Sequence, residues 1–132
     1  MMDDQVKDSL ISYRLAQSNE TINEVSKLIE SGLFNIAVNR VYYGMFYCLL
    51  ALALKYDFRS SKHLQLIGWF NKTFIKTGML EISFGQILRE AYKNRTEGDY
   101  VPYTTFSERE VLLMLDNLKT FISGISELLR EK

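Results

Sequence analysis

The sequence predicts an all-α protein, a bundle of five helices joined by short connections. Apolar residues recur at three- and four-residue steps through five segments. No segment alternates with the period of two expected of a half-buried strand. The chain has a single proline, Pro102, so little interrupts its helices. Short connections make consecutive helices antiparallel neighbours.

The first helix is expected from about Asp3 to Glu30. Ile11, Leu15, Ile22, Val25 and Ile29 form its apolar stripe, with Ser18 as the one polar member, and Ser31-Gly32 ends it. The second is expected over about Phe34 to Tyr56. Ser60-Ser61 offers an N-cap for a third, which carries Leu64, Ile67, Phe70 and Phe74 on one face and stops at Thr77-Gly78. The fourth is expected to open on a capping box at Ser83 and Gln86, to bury Phe84, Ile87, Leu88, Ala91 and Tyr92, and to end near Gly98. A loop over Asp99 to Phe106 follows. Ser107 and Glu110 make a second capping box for the fifth helix, whose seam is Val111, Leu115, Leu118, Ile122, Ile125 and Leu129.

A length of 132 residues, with 47% hydrophobic and 13% aromatic content, supplies one ordinary core, and residues 1–132 are read as one domain. The lone cysteine, Cys48, excludes an internal disulfide and sits in an apolar run, where a buried thiol is expected. The start, Met1-Met2-Asp3-Asp4, lacks the basic and apolar regions of a secretory signal. A reduced cytoplasmic protein is the resulting expectation.

Between Leu33 and Leu54 the only charged residue is Arg40. The stretch is long enough to cross a membrane. Arg40, Asn35, Asn39 and three tyrosines argue instead for a helix buried on most sides, by its own domain and by a second subunit. No membrane association is expected. A guanidinium keeps its proton in a protein, so a buried Arg40 needs an acceptor or a cleft. It anchors an ion pair or forms one wall of an anion site.

Net charge is zero, yet from Ser31 to Leu80 six bases face one acid, Asp57. A basic middle suits an anionic partner such as RNA, a nucleotide or an acidic protein surface, and equally suits a solvated helix face. Extending the stripe of the fourth helix by one turn reaches Arg95, and by another Asp99. Arg95 and Asp99 can pair at i, i+4, in the weaker base-before-acid order. Two arginines on core-facing stripes call for a polar cleft or an anion. Asn39, Arg40, Tyr43, Arg95, Asp99 and Tyr100 are the candidate members of one constellation.

The only histidine, His63, cannot hold zinc alone, and no other ligand spacing is present, so neither metal nor cofactor is expected. Its ordinary role is a cap or surface residue. Lys62, with Ser60 and Ser61 at a helix start, could hold a phosphate through backbone N–H groups. There is no phosphate-binding glycine loop and no nucleophile elbow.

Asn39-Arg40-Val41-Tyr42-Tyr43-Gly44-Met45-Phe46, Ser61-Lys62-His63, Phe74-Ile75-Lys76-Thr77-Gly78, and Arg95 through Asp99-Tyr100 together resemble the HEPN domain, in its small stand-alone prokaryotic form. The resemblance covers nearly the whole chain. It implies an up-and-down four- to five-helix bundle that forms a homodimer through its central helices. Many members are metal-independent ribonucleases, with an arginine followed four to six residues later by a histidine at the dimer cleft. Others pair with a minimal nucleotidyltransferase in toxin–antitoxin-like systems, where a tyrosine beside the signature is modified.

Carried over by residue, Arg95 matches the signature arginine and Tyr100 the nearby tyrosine. Asp99 stands near the place of the histidine, which has no match. The catalytic candidates are therefore Arg95, Asp99 and Tyr100, and the ligand-binding candidates are Asn39, Arg40, Tyr43, Lys62 and His63. A carboxylate accepts hydrogen bonds at neutral pH and brings no proton to a leaving oxygen. The expected function is thus nucleotide or RNA binding as a nucleotidyltransferase partner. The alternatives are an active ribonuclease toxin, with Tyr100 or His63 handling protons, and a purely structural helical module.

Overall fold

A computed structural model describes residues 3–60 and 62–131. Among these residues all regular structure is helical: α1 Asp4–Glu30, α2 Phe34–Lys55, α3 His63–Phe70, α4 Ile82–Tyr100 and α5 Glu108–Arg130. The bundle is built around α2, which packs against α1, α3, α4 and α5. Its sequence explains this position. Twelve of its residues are buried, on more than one side, as expected for a helix apolar nearly all round. The helix has the length and hydropathy of a membrane span, but most of that window lies inside the protein.

The helix ends follow local rules. Asp3 caps α1 by accepting from the N–H groups of Gln5 and Val6. At the other end Gly32 takes φ +73°, and the N–H groups of Gly32 and Leu33 bond back to Ile29 and Leu28. This is a Schellman turn, which a glycine makes without steric cost. A similar turn closes α2 with Asp57 at φ 57°, where Asp57 and Phe58 bond back to Leu54 and Ala53. Asp57 also meets Lys7 at 3.1 Å, tying the end of α2 to the start of α1. The Ser107–Glu110 capping box is present in both directions.

Five expectations need correction. The N-cap of α3 is Lys62, without a side-chain cap. Ser61, half of the expected capping pair, lies outside the described residues, as do Met1 and Met2 at the expected signal-free start. Leu64 is 67% exposed, and Leu66 takes the buried place. The cause lies further on: after Phe70 the chain makes a π-helical turn over Asn71–Ile75, with Lys76 N–H bonding to Asn71 O at 2.9 Å. The wider turn lets Leu66, Phe70 and Phe74 all reach the core. At α4 the N-cap is Glu81, and no side chain caps the helix, so Ser83 and Gln86 form no box. That helix also continues through Asp99 and Tyr100, which the sequence places in a loop. In α5 the last buried residue is Leu128, with Leu129 only half-buried.

Close packing of α1 on α2 depends on Gly44. A Cβ there would strike Thr21 and come within 2.8 Å of Leu118 Cδ1. Around it lie two fully buried aliphatic hydroxyls, those of Ser18 and Thr21. The Ser18 hydroxyl donates to Gly44 O at 2.7 Å and lies 3.0 Å from Cys48 Sγ. Since Ser18 has one proton, and gives it to the carbonyl, the thiol donates to Ser18 Oγ. Thr21 Oγ1 returns to Ser18 O at 2.6 Å. Burial pushes the Cys48 thiol up to about 12, against a smaller lowering by Ser18.

Candidate functional site

Tyrosines on α2 occur at Tyr42, Tyr43 and Tyr47, so their rings fan around one side of that helix. Tyr43 is the centre of the cluster. The Arg40 guanidinium carbon stands 5.7 Å from its ring centroid, and that of Arg95 stands 5.5 Å from it. Arg95 also lies 5.8 Å from the Tyr42 ring and 5.8 Å from the Tyr100 ring. Each approach is in the range of a cation–π contact. The two arginines from separate helices therefore share a tyrosine.

Their polar partners differ. Arg40 Nη2 reaches Glu24 Oε1 on α1 at 3.4 Å and the Tyr47 hydroxyl at 3.5 Å. Asp99 is not among its partners, although the sequence places both in one candidate constellation. Burial pulls the Arg40 pKa down, but Tyr47 and Glu24 outweigh it and the net direction is up. Arg95 Nη2 donates to the Tyr43 hydroxyl at 3.3 Å. Its Nε lies 3.2 Å from Asp99 Oδ2, one helical turn on, so the expected i, i+4 pair forms. The angle gives no directed hydrogen bond, and both Arg95 Nε and Arg40 Nε are buried without an acceptor among the described residues. Asn39 Nδ2 donates to the same Asp99 oxygen at 3.0 Å, joining α2 to the last turn of α4.

His63 does not behave as a surface cap. Its ring stacks on Phe46 with centroids 4.1 Å apart, and its Nδ1 lies 2.7 Å from the Tyr42 hydroxyl. Its centroid is 5.6 Å from that of Tyr42 and 5.8 Å from that of Tyr43, the two rings that Arg95 also faces. Burial, then the charge of Arg95, holds the His63 pKa below its ordinary value. Burial likewise drives the Tyr42 phenol pKa upward, although Arg95 opposes it.

Asn39, Arg40, Tyr43, His63, Arg95, Asp99 and Tyr100 thus gather on one side of α2. Lys62 does not join through any described side-chain contact. It is exposed, and its N–H already bonds to Ser60 Oγ at 3.2 Å, so the expected phosphate-holding helix start is partly occupied. Tyr100 is 70% exposed and enters the cluster only by its ring face. Tyr103, at φ 64°, is fully exposed in the α4–α5 loop. Two participants escape sequence reasoning. Tyr42 reads as packing, and Glu24 sits on another helix, where no spacing rule links it to Arg40. No three His, Cys, Asp or Glu side chains gather as a metal site among the described residues.

The chain is similar in sequence to several known proteins. A Thermotoga maritima protein named as a UPF0332 protein is 29% identical over 125 residues, covering 95% of each chain. A Methanocaldococcus jannaschii protein named "Putative toxin MJ0142" is 29% identical over 118 residues, 89% of this chain and 80% of that one. A second protein of that organism with a toxin name of the same form is 28% identical over 114 residues, 86% of this chain and 84% of that one. The family model of the HEPN domain matches residues 11–128. With nearly its whole length matched, from α1 to the last turns of α5, the chain belongs to the HEPN domain family.

Proposed function

We infer that this chain is a toxin-like HEPN protein that binds nucleotide or RNA phosphate beside Arg95 and Arg40. In this reading it works in the cytoplasm as a homodimer formed through its central helices. It is the partner subunit of a minimal nucleotidyltransferase.

The observation that carries the reading is the poor satisfaction of two cations that share one tyrosine ring. Their side-chain contacts to Tyr43, Glu24 and Tyr47 run from 3.3 to 3.5 Å, longer than ordinary hydrogen bonds, and both Nε atoms lack an acceptor. A phosphate oxygen is a strong acceptor for a guanidinium. The tyrosine faces around them suit a base that stacks. The basic middle of the chain is compatible with the same class of partner.

The test is titration of a labelled single-stranded RNA and of adenine nucleotides into wild-type and Arg95→Ala protein. Saturable binding lost with Arg95 is expected. Absence of binding by wild-type protein, with unchanged melting temperature in ligand, would leave Arg95 a structural ion-pair residue. Co-expression with the nucleotidyltransferase of a neighbouring gene tests the partnership, by a shared gel-filtration peak.

One observation favours a second reading, a metal-independent ribonuclease. His63, distant in sequence, stands against the same two tyrosine rings as Arg95. Arg95-dependent RNA cleavage in the presence of a chelator, with growth arrest on expression, would establish it over simple binding.

A further inference from the structure

The Tyr42–His63 contact fixes a proton. Tyr42 is fully buried, and its hydroxyl has one hydrogen-bond partner among the described residues, His63 Nδ1 at 2.7 Å. A buried phenol must place its proton on an acceptor. If Nδ1 carried the imidazole proton, the pair would hold two protons facing each other, or leave the phenol proton unpaired in the core. The alternative satisfies both groups: Tyr42 donates to a bare Nδ1, and the imidazole proton sits on Nε2. Burial keeps the phenol protonated, which maintains this direction.

Orientation is fixed as well. The imidazole lies nearly parallel to Phe46, 12° between planes, and 24° from the plane of Tyr42. Nε2 has no hydrogen-bond partner among the described residues. His63 is only partly buried, and its Nε2 is not among the buried side-chain atoms that lack a partner.

We propose that Tyr42 locks His63 in its Nε2–H tautomer, making His63 a second hydrogen-bond donor, beside Arg95, to a bound phosphate group. This rests on the phosphate-binding reading of the Arg95 site. It deepens that reading, because it assigns Tyr42 as a positioning residue and gives His63 a neutral donor's role. A neutral imidazole with its proton on the outward nitrogen cannot take a proton there. The resting site is therefore built to hold a phosphate rather than to activate a hydroxyl against it. The same chemistry is offered by a free nucleotide and by an RNA phosphodiester.

Long-range proton–nitrogen NMR of the full chain near neutral pH reads the tautomer directly. Wild-type protein is expected to show a protonated Nε2 and a bare Nδ1, and Tyr42→Phe a mixture of both tautomers. A protonated Nδ1 in wild-type protein would overturn the lock, whether or not phosphate binds. Titration with inorganic phosphate, AMP and a short RNA then tests the ligand. Each probe that binds should shift the His63 and Arg95 side-chain signals together. AMP binding without RNA binding identifies the nucleotide source, and the reverse identifies the polymer.

His63→Ala should weaken binding about tenfold, the usual scale of one hydrogen bond to a charged acceptor. His63→Gln, whose amide can donate from a similar place, should recover much of it. Equal loss in both variants would overturn the donor role. Binding that shifts Arg95 but leaves His63 unmoved would overturn the proposal and spare the Arg95 site. No shift of either residue by any probe would overturn both.

Discussion

Asn39 on α2 and Arg95 on α4 converge on one oxygen, Asp99 Oδ2, at 3.0 Å and 3.2 Å. Asp99 thereby partly neutralises the cation that a phosphate would meet. It also clips the end of α4 to the central helix. The carboxylate is not fully buried, and its pairing has the weaker base-first order, so its contribution to stability is small. Asp99→Asn should cost less than about 1 kcal/mol in urea unfolding. The same change should tighten phosphate binding by removing a competing negative charge. A weaker affinity would show that Asp99 orients Arg95 rather than competing for it.

Arg40 covers the faces of Tyr43 and Tyr47 while reaching Glu24 only at 3.4 Å. Its packing should therefore matter more than its half-exposed ion pair. Arg40→Ala is expected to destabilise by about 1 kcal/mol, the scale of a partly exposed cation–π contact with the lost cover of its stem. Glu24→Gln should change stability by less. Thermal unfolding of both variants checks the order.

His63 sets a pH dependence with a definite sign. Burial, then Arg95, lowers its folded pKa below the ordinary 6.5. Between these two values the unfolded chain binds more protons than the folded one. Stability therefore rises with pH across that window, and is lost as pH falls from about 6.5 toward the folded value. His63→Gln should flatten this part of the curve. Urea unfolding at steps between about pH 5 and 7.5 measures it, and equal slopes in the two proteins would contradict the assignment.

Gly44 is a contact residue rather than a turn residue. Gly44→Ala forces a methyl into Thr21 and Leu118, and an overpacking loss of about 2 kcal/mol is expected. Thr21→Ala in the same chain should recover part of it, because the obstructing hydroxyl is removed. Chemical unfolding of the single and double variants gives the coupling.

Lys55 closes the far end of the bundle. From the last turn of α2 its Nζ reaches the carbonyls of Leu128, Leu129 and Glu131 at the end of α5, the Leu129 contact at 2.9 Å. Carbonyls in the last turn of a helix lack the usual i+4 donors and carry the negative end of the helix dipole, although Leu128 O also accepts from the Glu131 N–H at 3.3 Å. Lys55→Met should cost about 1 kcal/mol. It should also speed amide hydrogen exchange over 127–131 more than elsewhere.

The helices were legible because their signal is local and repeats. The stripe of α1, the glycine stop at Gly32 and the Ser107–Glu110 box each need only a few neighbouring residues. The errors fall where the rule is not local. Leu64 and Leu66 exchange places because a π-helical turn downstream resets the phase of the apolar face. Ser83 and Gln86 have the right letters, yet the N-cap of α4 falls two residues earlier, at Glu81, and the helix outruns Gly98 because Asp99 finds partners on both α2 and α4. The site was legible in its arginines and in Asn39, Tyr43 and Asp99, all on stripes that periodicity could extend. It was not legible in Tyr42, Glu24 or the setting of His63. Those depend on which helix faces which, and His63 comes to Arg95 across α2 rather than along any one helix.

The hydrogen-bonded thiol between α1 and α2 has a practical consequence. Cys48 has no solvent exposure, donates its proton to Ser18 and keeps it well above physiological pH. Thiolate-directed reagents will pass it by in the folded chain. A single cysteine introduced at the fully exposed position 103 is then the sole labelling point, with the native sulfur left in place. A dye there can report association of one copy with another, or with a nucleotidyltransferase, without disturbing the core.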